Sequence, residues 1–396
     1  MMLSETQTVP ATRNSAQNLI FLILCGGFIV NGIIITFAGP MLPFLKERWN
    51  LNDTQAGLFS LVQFSASLAG VFISSALVSA KGFKPAVTLG LALMGVGFAI
   101  FNAPSFALAL LACGIFGLGY GLVTPGINLW VGESYGDRRA TALNIINLTW
   151  GLGAICSSPL AMWAQRESHV SLLMYLVGAF CVLLALALLR MPFGKPPKED
   201  KPASQETSAF TPGLGGAILL GMLFFVYVGT ENSTSYWAAE HARRAANWAT
   251  NTFTLAQMFF FAGLLGGRGL AAAILLKLKD VPVAIGGILL AAAGLAIFIT
   301  AHSPAILFGG ALQAGLGLSS LYPIYIAWLS KWFGARARKV GGLMFALAAA
   351  GASTMPTLVG VVSRYCQSLR IGMMVPLIGC AAMLAAIGLL RPNTRA

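Results

Sequence analysis

Apolar runs of about twenty residues recur along the whole chain, separated by short polar segments. The runs predict helices over 19–44, 55–79, 86–102, 105–132, 141–164 and 170–191. After a longer polar break they predict helices over 214–239, 250–276, 281–301, 304–330, 340–362 and 371–391. A helix of about 20 residues covers the roughly 30 Å hydrocarbon core of a bilayer. Lipid offers no partner to backbone N–H and C=O groups, so runs of this length fold as helices. The expected fold is an all-α membrane protein of twelve transmembrane helices in two six-helix bundles, 19–191 and 214–391. A polar linker over 192–213 joins them, and polar tails occupy 1–18 and 392–396. The linker holds Lys195, Lys198, Glu199, Asp200, Lys201, Ser204 and Glu206, a composition that suits a flexible connection.

The two bundles are repeats of one another. The stretch GLGYGLVTPGINLWVGESYGDRRATALN from Gly117 aligns with GLGLSSLYPIYIAWLSKWFGARARKVGG from Gly315. At a constant offset of 198 residues, half the chain, Gly119 meets Gly317, Pro125 meets Pro323 and Trp130 meets Trp328. Gly136 then meets Gly334, Arg138 meets Arg336 and Gly153 meets Gly351. Agreement of these residue types at one spacing marks a duplicated unit.

Composition agrees. Only 9% of the residues are charged, against about 25% in soluble domains, and the mean hydropathy is +0.79. The net charge of +13 would suggest nucleic acid in a soluble protein, but here the basic residues sit in loops between spans. With both termini in the cytoplasm, inner segments carry 17 of the 25 Lys and Arg, outer segments carry seven, and Arg268 falls within a span. That asymmetry places both termini in the cytoplasm of a cell inner membrane. The six cysteines form no CxxC pair and read as small buried side chains rather than metal ligands. His169, His241 and His302 fall in or near outer loops and suggest neither a metal site nor a proton relay.

Ionisable groups inside a bilayer are costly and mark function. Glu231 is the one acid set well inside a span, and Arg268 on the next span is its basic counterpart. The pair reads as an ion-coupling site, with a static ion pair as the plain alternative. Polar amides recur on other spans: Asn31, Gln63, Asn128, Asn144 and Asn147 in the first half, Asn232, Gln257 and Gln313 in the second. Asn144, Asn147 and Gly151 share one helix face. Amides both donate and accept, as sugar hydroxyls require, and Trp150, Tyr227, Trp237, Tyr322 and Tyr325 are aromatic surfaces for a pyranose ring. Each amide alone is as readily a helix–helix hydrogen bond; the recurrence argues for a polar central cavity. No Ser/His/Asp grouping, metal cluster or P-loop suggests an enzyme or a resident cofactor.

Two parallel six-helix halves with a polar connection resemble the major facilitator superfamily over almost the whole chain. Within it, GPMLPFLKERWNLNDTQAGL (39–58), VGESYGDRRATALNIINLTWGLGAI (131–155) and YVGTENSTSYW (227–237) resemble the fucose–proton symporter family and related sugar transporters. The resemblance implies alternating access, in which the halves rock about a site at mid-membrane. The 2–3 loop AKGFKPAV (80–87) keeps Lys81, Gly82 and Lys84 of the superfamily pattern but lacks its acid. The acids that fucose symporters carry in spans 1 and 4 have no counterpart: the first position falls near Gly39, and Gly119–Asn128 holds no acid. An acid in span 7 is a feature of other sugar-transporting members, which keeps Glu231 in view. The expected activity is secondary transport of a small neutral solute, a sugar first, by a single chain, coupled to protons or sodium through Glu231. Export of amphipathic drugs or lipids is the alternative.

Overall fold

The computed structural model describes residues 11–193 and 214–390. Most of the expected tail at 1–18, most of the linker at 192–213 with its charged residues, and the tail at 392–396 lie outside these residues. The described chain forms α1 (Ala11–Thr36), α2 (Ala38–Trp49), α3 (Asp53–Lys81), α4 (Phe83–Ala99), α5 (Phe106–Ser134), α6 (Arg139–Arg166) and α7 (Val170–Leu189). The second half forms α8 (Leu214–Ala245), α9 (Ala256–Leu275), α10 (Asp280–Thr300), α11 (Pro304–Leu318), α12 (Leu321–Phe333), α13 (Ala337–Tyr365), α14 (Leu369–Gly372) and α15 (Met374–Leu390). No strand occurs among the described residues. Eleven stretches are long and apolar enough to span a membrane, α1 with α2, α11 with α12 and α14 with α15 each counting as one. The 17-residue α4 takes the twelfth place. We call the end of the bundle where α7 stops and α8 starts the linker end, and the opposite one the far end.

Local sequence sets the turns. Asn52 caps α3, its side chain accepting from the Gln55 N–H at 3.0 Å while Gln55 Oε1 accepts from the Asn52 N–H at 3.0 Å, a reciprocal capping box. Gly82, with φ +81°, alone separates α3 from α4, a conformation costly for any residue with a Cβ.

The duplicated glycines do the same job twice. A Cβ on Gly117 would lie 2.3 Å from the Gln63 carbonyl oxygen, and one on Gly315 would lie 2.0 Å from that of Phe260. Likewise Gly153 meets the Ile29 carbonyl and Gly351 that of Phe225, at 1.9 and 2.0 Å. These contacts seat α5 on α3 and α6 on α1, then α11 on α9 and α13 on α8. Small residues permit such backbone approach, which carries helix association where no hydrophobic drive exists. Leu22, Phe72, Leu183, Ile218, Leu343 and Ile378 project outward, well exposed, as a lipid-facing surface requires.

The helices depart from the expected spans in two ways. The first, tenth and twelfth spans are broken, at Phe37, at Ser319–Ser320 and at Met373. A proline follows each break, Pro40, Pro323 and Pro376, and proline cannot donate to the carbonyl four residues before it. The seventh span does not end at 239: α8 continues to Ala245. His241, expected in or near an outer loop, is therefore helical and 2% exposed, its Nε2 3.0 Å from the Phe298 carbonyl oxygen. Charges at Glu240, Arg243 and Arg244 end the apolar run without ending the helix.

Candidate substrate and coupling site

Glu231 stands 17 residues from the start of α8 and 14 from its end, at mid-depth. One turn earlier, Tyr227 donates its hydroxyl to the Glu231 carboxylate. Arg268 of α9 lies within electrostatic reach of Glu231, Tyr227 and Tyr322. Ion pairs within 4.0 Å among the described residues do not include this one. The Tyr227 ring lies 6.0 Å from Tyr322 and 5.9 Å from Tyr325, both on α12. The break before α12 helps set these tyrosines against α8.

The first half faces this cluster with neutral groups. Trp150 Nε1 donates to Asn31 Oδ1 at 3.2 Å, and Asn31 Nδ2 donates to Thr124 Oγ1 at 3.4 Å. Tyr120, one turn before Thr124 on α5, lies near Glu231 and Tyr322. Asn128 donates to the Thr124 carbonyl at 2.9 Å, and Asn147 donates to Asn128 Oδ1 at 3.4 Å. Trp150 meets Phe261 of α9 edge-on at 6.0 Å. A Cβ on Gly151 would come within 2.8 Å of Leu265 on the same helix. Thus α1, α5 and α6 bring hydrogen-bonding groups to the interface where α8, α9 and α12 bring an acid, a base and phenols.

Two further hydrogen bonds join the halves at carbonyls that prolines leave open. Pro40 cannot bond Thr36, and Gln257 Nε2 of α9 donates to the Thr36 carbonyl at 3.0 Å and to Ser157 Oγ at 3.3 Å. Its Oε1 fills the place a Cβ on Gly39 would need, 2.0 Å away. Pro356 likewise frees the Ala352 carbonyl, which accepts from Ser60 Oγ at 3.1 Å. A helix carbonyl without its own N–H becomes a docking point for the opposite half.

At the far end a charged network closes the interface. Lys46 of α2 pairs with Asp53 of α3 and reaches Glu240 of α8 at 3.2 Å. Arg244 donates to both Asp53 oxygens, at 2.9 and 2.6 Å, and to Glu240 at 2.8 Å. Ser363 of α13 donates to Asp53 at 2.5 Å, and Arg243 pairs with Glu240 at 2.9 Å and Glu47 at 3.7 Å. Glu240 is wholly buried and Asp53 nearly so, yet each accepts from several cationic donors, the condition for burying a charge. Tyr236 tightens the same seam by donating to the Ala56 carbonyl at 2.5 Å.

Of the residues singled out from the sequence, Glu231, Arg268, Asn31, Asn128, Asn147, Trp150, Tyr227, Tyr322 and Tyr325 gather here. Tyr325 is fully buried, its hydroxyl 3.6 Å from Met383 Sδ, so it backs the site. Gln257 bridges the halves. Asn144 is exposed, and Asn232 returns its amide to the Val228 carbonyl at 2.9 Å. The structure places three others away from the cluster, in helix packing. Gln63 donates to the Ile35 carbonyl at 2.9 Å, Trp237 to Pro356 at 2.8 Å, and Gln313 to Leu290 at 3.4 Å. Tyr120, Thr124 and the network at Lys46, Asp53, Glu240, Arg243, Arg244 and Ser363 were not singled out. The i, i+3, i+4 spacing of Glu240, Arg243 and Arg244 was the available signal. No group of three or more His, Cys, Asp or Glu suited to a metal ion occurs among the described residues.

Two helical halves meeting around a polar cluster at membrane mid-depth, sealed at one end, define a membrane transporter of the alternating-access class. The chain belongs to the major facilitator superfamily, whose family model matches residues 24–282, and it is a transporter rather than an enzyme. It is 24% identical to the glucose/galactose transporter of Brucella abortus, over 92% of each chain. It is 22% identical to the glucose/mannose transporter GlcP of Bacillus subtilis, over 84% of this chain and 85% of that one. Its fold matches the crystal structure of a D-xylose–proton symporter with a TM-score of 0.76 at 15% identity, covering 93% and 96% of the two chains.

Proposed function

We propose that this protein carries a sugar, a hexose or close relative, across the cell inner membrane with both termini cytoplasmic. A proton or sodium ion is coupled to this movement through Glu231. The observation that carries the reading is the division of the mid-depth cluster between the halves. Asn31, Thr124, Asn128, Asn147 and Trp150 offer the neutral donors and acceptors that hydroxyls need. Glu231, with Tyr227 and Arg268, is the ionisable part. Sugar transport by the two relatives supports the substrate class.

With cytoplasmic termini the far end is the outer side, and transport by alternating access requires its network to part. A single chain contains the whole pathway, so a monomer suffices.

The test is uptake of labelled glucose, galactose and mannose into proteoliposomes, with and without an imposed proton or sodium gradient. Saturable uptake raised by one of the two gradients is the expected result and names the ion. Absence of sugar uptake under either gradient, together with saturable binding of hydrophobic cations, would replace this reading by drug or lipid export.

A further inference from the structure

The mid-depth cluster leaves two lysines of the α3–α4 turn without a role. Lys81 ends α3 and Lys84 lies in the first turn of α4, with Gly82 and Phe83 between them and no acid in the turn. Among the described residues neither takes part in an ion pair. Lys84 Nζ donates to the Met191 carbonyl at 3.0 Å, which leaves two of its three N–H groups, and Lys81 is exposed.

Both lysines border a cleft of about 510 Å³ on the outer surface, between the ends of α3 and α7 and the start of α4. Its walls are apolar: Leu77 from α3, Leu89 and Ala92 from α4, Val182, Leu186 and Leu189 from α7. Thr88 also lines it, but its hydroxyl is turned to the Lys84 carbonyl at 2.8 Å. From Lys84 to Ala92 the cleft runs about 12 Å along α4, from the membrane boundary into the hydrocarbon. The lysines stand at the boundary end and, Thr88 apart, only apolar side chains lie deeper. Leu89, Leu186 and Leu189 are exposed, so the cleft faces the lipid rather than the transport pathway.

We propose that this cleft binds an anionic phospholipid. The phosphate sits between Lys81 and Lys84, and one acyl chain lies along Leu77, Leu89, Val182 and Leu186. A charged pair at headgroup depth above an apolar trough is complementary to such a lipid and to little else: a soluble anion gains nothing from the trough, and a neutral lipid gains nothing from the lysines. The lysines attract anionic headgroups at the membrane surface.

The test uses the full-length protein in detergent, titrated with phosphatidylglycerol and with phosphatidylcholine of identical chains, and read by native mass spectrometry. Wild type is expected to bind phosphatidylglycerol about 25-fold tighter than phosphatidylcholine, at about fivefold per lysine. Lys81→Gln, at an exposed position that bonds nothing else described, should lose about fivefold of that preference. Lys81→Gln combined with Lys84→Gln should abolish it, and Ala92→Trp should weaken both lipids by filling the trough. Equal affinity for the two lipids in wild type, or a preference that survives the double substitution, overturns the proposal. Displacement of the lipid by millimolar inorganic phosphate would reveal a soluble-anion site instead. A dimer mass that lipid does not dissociate would show the cleft to be an interface between two copies.

Discussion

Replacing Asp53 by asparagine tests whether the far-end network holds the halves together. Three hydrogen bonds cross from the second half onto this carboxylate: two from Arg244, at 2.9 and 2.6 Å, and one from Ser363 at 2.5 Å. Removing one partner of a buried ion pair costs about 3–5 kcal/mol. Arg244 is 32% exposed and keeps Glu240, so water and that second partner offset part of the loss. About 2 kcal/mol is then a reasonable figure for the closed state. In the separated state both groups are hydrated and the substitution costs little. The equilibrium should therefore move about 30-fold toward the open far end, at 1.4 kcal/mol per factor of ten. Thr357 on α13 reports it, because its hydroxyl donates to the Gly57 carbonyl of α3 at 3.1 Å, inside the closed seam. With the exposed Cys156 and Cys366 changed to serine, Thr357→Cys should react with a water-soluble maleimide about 30-fold faster when Asp53→Asn is added. The thermal unfolding midpoint checks that the protein stays folded. Labelling within twofold of the parent would refute the assignment of the network as a closure.

Other expected outcomes follow from the same geometry. Gln257→Ala removes the donor to the Thr36 carbonyl and to Ser157; it should speed labelling at the same reporter by about fivefold, near 1 kcal/mol. Thr124→Val should raise the KM for sugar by about fivefold, the value of one hydrogen bond, while the fold survives by thermal denaturation. Gly153→Val would drive a side chain into the Ile29 carbonyl, 1.9 Å from an ideal Cβ; about 3 kcal/mol or more of overpacking should leave no monodisperse protein on size exclusion.

Much of the helix architecture was legible because bilayer physics is simple: backbone groups must pair within a span, so hydropathy reports helices. The 198-residue repeat was legible because Gly117, Gly153, Gly315 and Gly351 are fixed by backbone contact, which tolerates no substitution. The breaks at Phe37 and Ser319–Ser320 were not, since an apolar run looks the same whether or not one carbonyl in it is left open. The far-end network was not singled out for a related reason. Glu240 and Arg244 end the apolar run, and a hydropathy pattern cannot distinguish a solvated loop from a helix whose charges are buried against the opposite half. Glu231 stood out because no other acid lies deep in a span, whereas Tyr120 and Thr124 are ordinary span residues until the facing half is known. Gln63, Trp237 and Gln313 show the converse: an amide or indole within a membrane needs one acceptor, and a neighbouring helix carbonyl serves as well as a sugar.

The central claim is that Glu231 couples ion movement to sugar movement, and Glu231→Gln in proteoliposomes tests it most directly. Glutamine keeps the length and an acceptor for the Tyr227 hydroxyl but cannot carry a coupling proton or an anionic charge. Exchange of labelled for unlabelled hexose should continue at a rate within a few-fold of wild type, while accumulation against a gradient should fall to the equilibrium level. Full gradient-driven accumulation by Glu231→Gln would contradict the account.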